Sequence, residues 1–149
     1  MKRCVALKHK FVEYIPDDLE DRTIYISIDY ATAVHKCCCG CDHEVVTPFS
    51  QTDWQLIFDG QSISLYPSIG NWNFACQSHY WIERNKIKWA PRWSKEKINT
   101  EITHDILMKE RYFYRTRMPT ANATIDILKE SKKDGFKKNI WLKLKNWFH

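Results

Sequence analysis

Residues 54–66, WQLIFDGQSISLY, decide the fold class. Two apolar, β-branched runs flank Asp59-Gly60-Gln61. An Asp-Gly step between such runs is a hairpin signal, because glycine accepts the positive φ of a tight reversal. The same grammar recurs at residues 79–90, where HYWIER and KIKWA flank Asn85. Moving outward toward the N-terminus, EVVTPF is stopped by Pro48, and ATAVHK leads into a group of cysteines. TIYISI alternates clearly, and HKFVEYI ends at the turn Pro16-Asp17-Asp18. Short strands with turns every eight to twelve residues or so predict a small antiparallel sheet or barrel.

Toward the C-terminus the pattern changes after Pro91. Ser94 reads as an N-cap with Glu96 and Lys97 in the first turn. Ile98, Ile102, Ile106 and Leu107 then fall on one face of a helix that runs to about Tyr114. Pro119 breaks this run; further helices are predicted from Asn122 to Lys133 and from Lys137 to Trp147. The expected class is α+β, mostly β, with zinc-bearing loops and C-terminal helices. Residues 1–93 form the expected zinc-binding β domain, and 94–149 a helical extension packed on it or tethered to it.

Composition narrows the function. The chain has 149 residues and seven Trp, enough to bury a core without disulfides. The opening MKRCVALKHKF lacks the apolar run of a signal peptide, and no stretch approaches the roughly 18 apolar residues of a membrane span. The cytoplasm is the expected compartment, and there clustered cysteines read as metal ligands. The net charge of +5 resides in residues 129–149, which hold seven Lys against Glu130 and Asp134. The rest is balanced, so nucleic acid is not an expected partner.

His35-Lys36-Cys37-Cys38-Cys39-Gly40-Cys41-Asp42-His43 packs four thiols and two imidazoles into nine residues. Cys76-Gln77-Ser78-His79 adds a second pair of ligand types. Thiolate with imidazole selects zinc. In extended chain Cys37, Cys39 and Cys41 share a side that Cys38 cannot. The expected ligand set is Cys37, Cys39 or Cys41, Cys76 and His79, with His35 in reserve. Four protein ligands make a structural site; three leave a position for an activated water. Glu44 and Asp59 are the candidate general bases for that water. Ser68, Gly70 and Asn71 lie in a loop, Tyr66–Trp72, that either lines a groove and offers N–H groups to an oxyanion or is a turn held by Trp72. Residue physics alone favours the turn.

The stretch AVHKCCCGCDHEVVTPFSQTDWQLIFDGQSISLYPSIGNWNFACQSHYWI resembles a bacterial family of domains of unknown function. Its members carry H-x-C-P-C-G-C, V-V-T-P, F-D-G, P-S-I-G-N-W and C-x-S-H-Y-W-I. The resemblance covers about residues 10–93 and departs at Cys38 and Ala75, where the family usually has proline. Family members are encoded beside ubiquitin-like proteins and their E1-, E2- and peptidase-like partners, in operons some of which act in antiphage defence. The resemblance therefore implies a deubiquitinase-like peptidase that trims or releases a ubiquitin-like protein. It points to His35, Cys37, Cys39, Cys41, Cys76, His79 and the Ser68–Trp72 loop as its motif positions.

Two functions follow as expectations. The first is a zinc-dependent peptidase or isopeptidase acting on a ubiquitin-like protein and its conjugates, with Glu44, Ser68, Asn71 and His79 as candidate catalytic residues. The second is a non-catalytic zinc-stabilised adaptor that recruits E1- or E2-like enzymes. The basic segment FKKNIWLKLKNWFH has the composition of a membrane-surface helix, but packing is the favoured role.

Overall fold

A computed structural model describes residues 3–117. The helices predicted beyond Pro119 lie outside the described residues. The described chain forms eight strands and one helix: β1 (Lys8–Phe11), β2 (Thr23–Ser27), β3 (Thr32–Lys36), β4 (Glu44–Pro48), β5 (Gln55–Phe58), β6 (Ile63–Gly70), β7 (His79–Glu83), β8 (Lys86–Trp89) and α1 (Lys95–Arg117). The strands make two four-stranded sheets, ordered β1-β2-β3-β4 and β5-β6-β7-β8. The architecture is thus mostly strand, with the cysteine cluster in loops.

The hairpins predicted at Asp59-Gly60 and at Asn85 join β5 to β6 and β7 to β8. Asp59 accepts hydrogen bonds from the N–H groups of Gln61 and Ser62, which holds the first turn, and Gly60 sits at φ 92°. That role ties the Asp59 carboxylate to its own loop. Arg84 and Asn85 both adopt positive φ in the second turn. Sequence pattern misses one pairing: β1 lies parallel to β2, whereas the other pairs are antiparallel. Such pairing is set by a chain crossing rather than by a turn, so no local signal announces it.

The core lies between the sheets. Ile24, Ile26, Ala33 and Val45 from the first meet Ile63, Leu65, Ile69, Tyr80, Ile82 and Ile87 from the second. All five residues of β2 are buried. Ile24 and Ile26 join the main core, while Tyr25 packs with Leu19 and Val34 on the opposite face. A strand covered on both faces reads as a nearly continuous apolar run, as TIYIS does.

Two compact units divide the chain within α1, after Asp105. In the first unit, the Ser94 hydroxyl accepts the Lys97 N–H at 3.3 Å, the N-cap geometry that the sequence predicts. Trp93 and Ile98 hold the N′ and N4 positions of a hydrophobic staple, and Ile98 is buried. Ile102 is 37% exposed, so the predicted apolar row is not buried throughout.

Candidate active site and metal centre

The β3–β4 connection brings three thiols to one point. Gly40, at φ 84°, lets its N–H reach the Cys37 carbonyl at 3.0 Å, and the Cys37 N–H donates to His43 O at 2.7 Å. Opposite stands the loop between β6 and β7, closed by the Phe74 N–H on Asn71 O, the Gln77 N–H on Phe74 O and the Asn71 N–H on Ser78 O. Cys76 projects from it. The sulfurs of Cys37, Cys39, Cys41 and Cys76 all lie within 4.8 Å of one another. Cys37 is 3.4 Å from Cys39 and 3.9 Å from Cys76, and Cys41 is 3.8 Å from Cys76. A tetrahedral ion with bonds of about 2.3 Å to sulfur sets its ligands roughly 3.8 Å apart, so the four thiols fit one metal. Burial raises the Cys76 thiol, but the Ser78 hydroxyl and N–H and the neighbouring thiols outweigh it and hold it at about 7. Burial pushes the Cys37, Cys38 and Cys39 thiols up.

The two histidines counted as ligands from the sequence fall outside this sulfur group. His35, on β3, is fully buried and shares a 2.9 Å hydrogen bond through Nε2 with the Tyr80 hydroxyl. Burial pushes it down to about 4, so it stays neutral. His79 faces away because strand neighbours alternate. Ser78 and Tyr80 point to the Cys37 and His35 side, which sends His79 and Trp81 to the other face of β7. His43 is exposed, and its Nδ1–H donates to the Cys41 carbonyl at 3.0 Å.

On that other face, His79 Nε2 lies 2.9 Å from the Ser68 hydroxyl oxygen. The register explains how they meet. Leu65 pairs with Ile82 and Ile69 with Tyr80, so Tyr66, Pro67 and Ser68 together face Trp81 alone. This bulge re-aims Ser68 across the ladder, and bulges are common beside active sites. The Tyr66–Pro67 peptide bond is cis. Burial lowers the His79 pKa, followed by the nearby Lys97 charge, with Glu101 opposing. Three indoles ring the imidazole, with centroids 4.4 Å (Trp93), 5.0 Å (Trp72) and 5.2 Å (Trp81) away. Trp93 is the member that sequence reasoning missed; its staple position beside Ser94 was the available signal.

The other candidate catalytic residues stand elsewhere. The Asn71 amide donates to Ser78 Oγ at 2.8 Å and faces Cys37 Sγ at 3.7 Å, on the metal side. Glu44 is exposed at the start of β4. It lines a cleft of about 190 Å³ with Val45, Val46, Trp54 and the run Ile69–Phe74, which includes neither Ser68 nor His79. Gly70 is fixed by its neighbour: a Cβ there would meet the Trp72 ring at 2.4 Å.

Residues 11–90 match the family described as bacterial ubiquitination-like system serine protease (BubE). The chain belongs to the BubE family. The match begins at the last residue of β1, covers β2 to β8, the four clustered thiols and the Ser68–His79 pair, and stops before Trp93. The family's description names a serine protease. Among the described residues, Ser68 is the serine whose hydroxyl meets a histidine nitrogen. Ser78, the other serine near a histidine in sequence, is engaged with Cys37 and Asn71. Comparison with curated proteins and with solved structures gave no match. No helix among the described residues is long and apolar enough to cross a membrane.

Proposed function

We propose that this protein is a serine peptidase or isopeptidase that processes a bacterial ubiquitin-like protein or releases it from its conjugates. Ser68 is the nucleophile and His79 the general base. The observation that carries this reading is the 2.9 Å contact between part-exposed Ser68 and buried His79, within a family described as serine proteases. Ser68 Oγ attacks the carbonyl of the scissile bond while His79 Nε2 takes its proton. The imidazolium then returns that proton to the leaving amine, and water hydrolyses the acyl-enzyme by the reverse sequence. His79, with its pKa lowered by burial, is neutral and ready to accept at pH 7. Asn71 has no part in holding the oxyanion, since its N–H and its amide both bond to Ser78.

The metal in this reading is a structural zinc held by Cys37, Cys39, Cys41 and Cys76. Four thiolates close a tetrahedral site and leave no position for a reactive water, which argues against the zinc-activated water expected from the sequence. When bound, zinc cross-links the β3–β4 and β6–β7 loops. The second of these loops runs from the end of β6, which carries Ser68, to the start of β7 at His79. The cytoplasm and antiphage defence remain the expected setting, and the ubiquitin-like protein the expected partner.

Cleavage of a ubiquitin-like fusion by the zinc-loaded chain tests the reading. Ser68→Ala is expected to abolish cleavage while zinc content stays at wild type. Cleavage that survives Ser68→Ala but responds to Glu44→Gln would favour the water mechanism. A chain that binds conjugation enzymes and cleaves nothing would favour the adaptor.

A further inference from the structure

In a serine–histidine pair the imidazole normally has a third partner. An acid on Nδ1 fixes the ring and stabilises the imidazolium that forms during the reaction. His79 lacks one. Its Nδ1 is buried and has no hydrogen-bond partner among the described residues. Among the described residues, Lys97 and Glu101 of α1 are the charged groups that face it, and Glu101 makes no hydrogen bond to it. What surrounds the ring is indole. Trp93 meets it edge to face at 4.4 Å and 74°, and Trp72 and Trp81 stand at 5.0 Å and 5.2 Å. Trp93 stacks on Trp72 at 5.2 Å and 21°, so the two form a single wall. Lys97 Nζ lies 4.1 Å from the Trp93 ring centroid and helps seat that indole at the start of α1.

We propose that this tryptophan wall replaces the acid of the triad, with Trp93, outside the family-matched segment, as its principal positioning residue. The inference rests on the Ser68–His79 reading. Two physical effects support it. Packing on three rings leaves the imidazole one orientation, the one that aims Nε2 at Ser68. The π faces of tryptophan attract a cation within about 6 Å of the ring centroid, most strongly where water is excluded. An imidazolium formed at His79 is inside that distance of three indoles, while the neutral imidazole gains little from them. The wall therefore offsets part of the cost that burial and the Lys97 charge impose on the imidazolium as Ser68 gives up its proton.

A fluorophosphonate probe tests this without knowledge of the natural substrate. Ser68 Oγ forms a bond to phosphorus, the P–F bond breaks, fluoride leaves, and His79 takes the serine proton. Trp93→Phe keeps a π face and Trp93→Leu keeps apolar bulk without one. We expect the Phe variant to label within about threefold of the wild-type maximal rate, and the Leu variant to fall on the order of tenfold or more. The probe concentration giving half that rate should be unchanged in both. Thermal unfolding and zinc content verify that both variants are folded, and Glu101→Gln should label like wild type. Equal rates for Leu and Phe, whether high or low, would overturn the wall's role, as would a large loss in Glu101→Gln. Labelling that survives Ser68→Ala or His79→Ala would sink the underlying pair instead.

Discussion

His35 in the core and His79 on the outer face of the second sheet have nearly the same bonding. Each is buried, each has Nε2 2.9 Å from a hydroxyl oxygen, and each has an Nδ1 without a hydrogen-bond partner among the described residues. Their surroundings differ. The hydroxyl facing His35 belongs to Tyr80, fully enclosed between the sheets, where burial pushes its own pKa up. The hydroxyl facing His79 belongs to Ser68, part-exposed in a strand bulge. A hydrogen-bonded histidine and hydroxyl is therefore not in itself a catalytic pair. Access for a carbonyl, and a way to stabilise the imidazolium, separate the working pair from the structural one.

The sharpest way to break that contrast is to delete each side of it. Ser68→Ala or His79→Ala should cut cleavage by about 10³-fold or more with little change in thermal stability. His35→Ala should do the opposite. It opens a cavity and removes the nearer partner of the Tyr80 hydroxyl, leaving the Asn71 amide at 3.5 Å, at a cost of roughly 2–4 kcal/mol in denaturant unfolding, with near-normal activity per folded molecule. If His35→Ala were as inactive as His79→Ala while remaining folded, the two histidines would not divide as described.

Removing the metal probes the frame that both regions share. Cys76→Ser, or chelation of the zinc-loaded protein, should destabilise the fold by more than about 4 kcal/mol, because the two loops lose their cross-link. Activity should be lost together with folding, and zinc alone should restore both in the chelated protein. A chelated protein that stayed folded but inactive would return the metal to the chemistry. Gly70→Ala is a milder perturbation. The new Cβ forces Trp72 off its seat, and we expect about 1–3 kcal/mol of destabilisation with a larger fractional loss of activity than of stability.

A milder change follows from pH. A general base works in its neutral form, so activity falls as pH drops through the folded-state pKa of His79. That value is lowered by burial and then by Lys97, so the acid midpoint should lie below the ordinary 6.5. Removing the Lys97 charge should move the midpoint up. A midpoint above 6.5 would mean that His79 is not held in a dry, positively biased setting.

Much of this was legible in the sequence. The Asp59-Gly60 and Asn85 turns and the Ser94 cap are local signals read from neighbouring residues, whereas Cys37, Cys39 and Cys41 are grouped by a turn at Gly40 and not by the extended-chain alternation expected from the sequence. The partition of Cys76 from His79 was not legible. Their C-x-x-H spacing is that of a ligand pair, but Gln77 takes φ 45° and β7 begins at His79, so the two side chains leave on different sides. The meeting of Ser68 with His79 depends on a bulge that the run Tyr66-Pro67-Ser68 hints at only through its proline. Trp93 reaches His79 through the third dimension, and the pattern of its own segment records nothing but a helix start.

Every role assigned above turns on Ser68 being an activated nucleophile. Peptide mass spectrometry of the zinc-loaded protein after fluorophosphonate treatment addresses it directly. The predicted result is one adduct, on Ser68, that disappears in His79→Ala. An unmodified Ser68 in active protein, or an adduct that persists without His79, would contradict it.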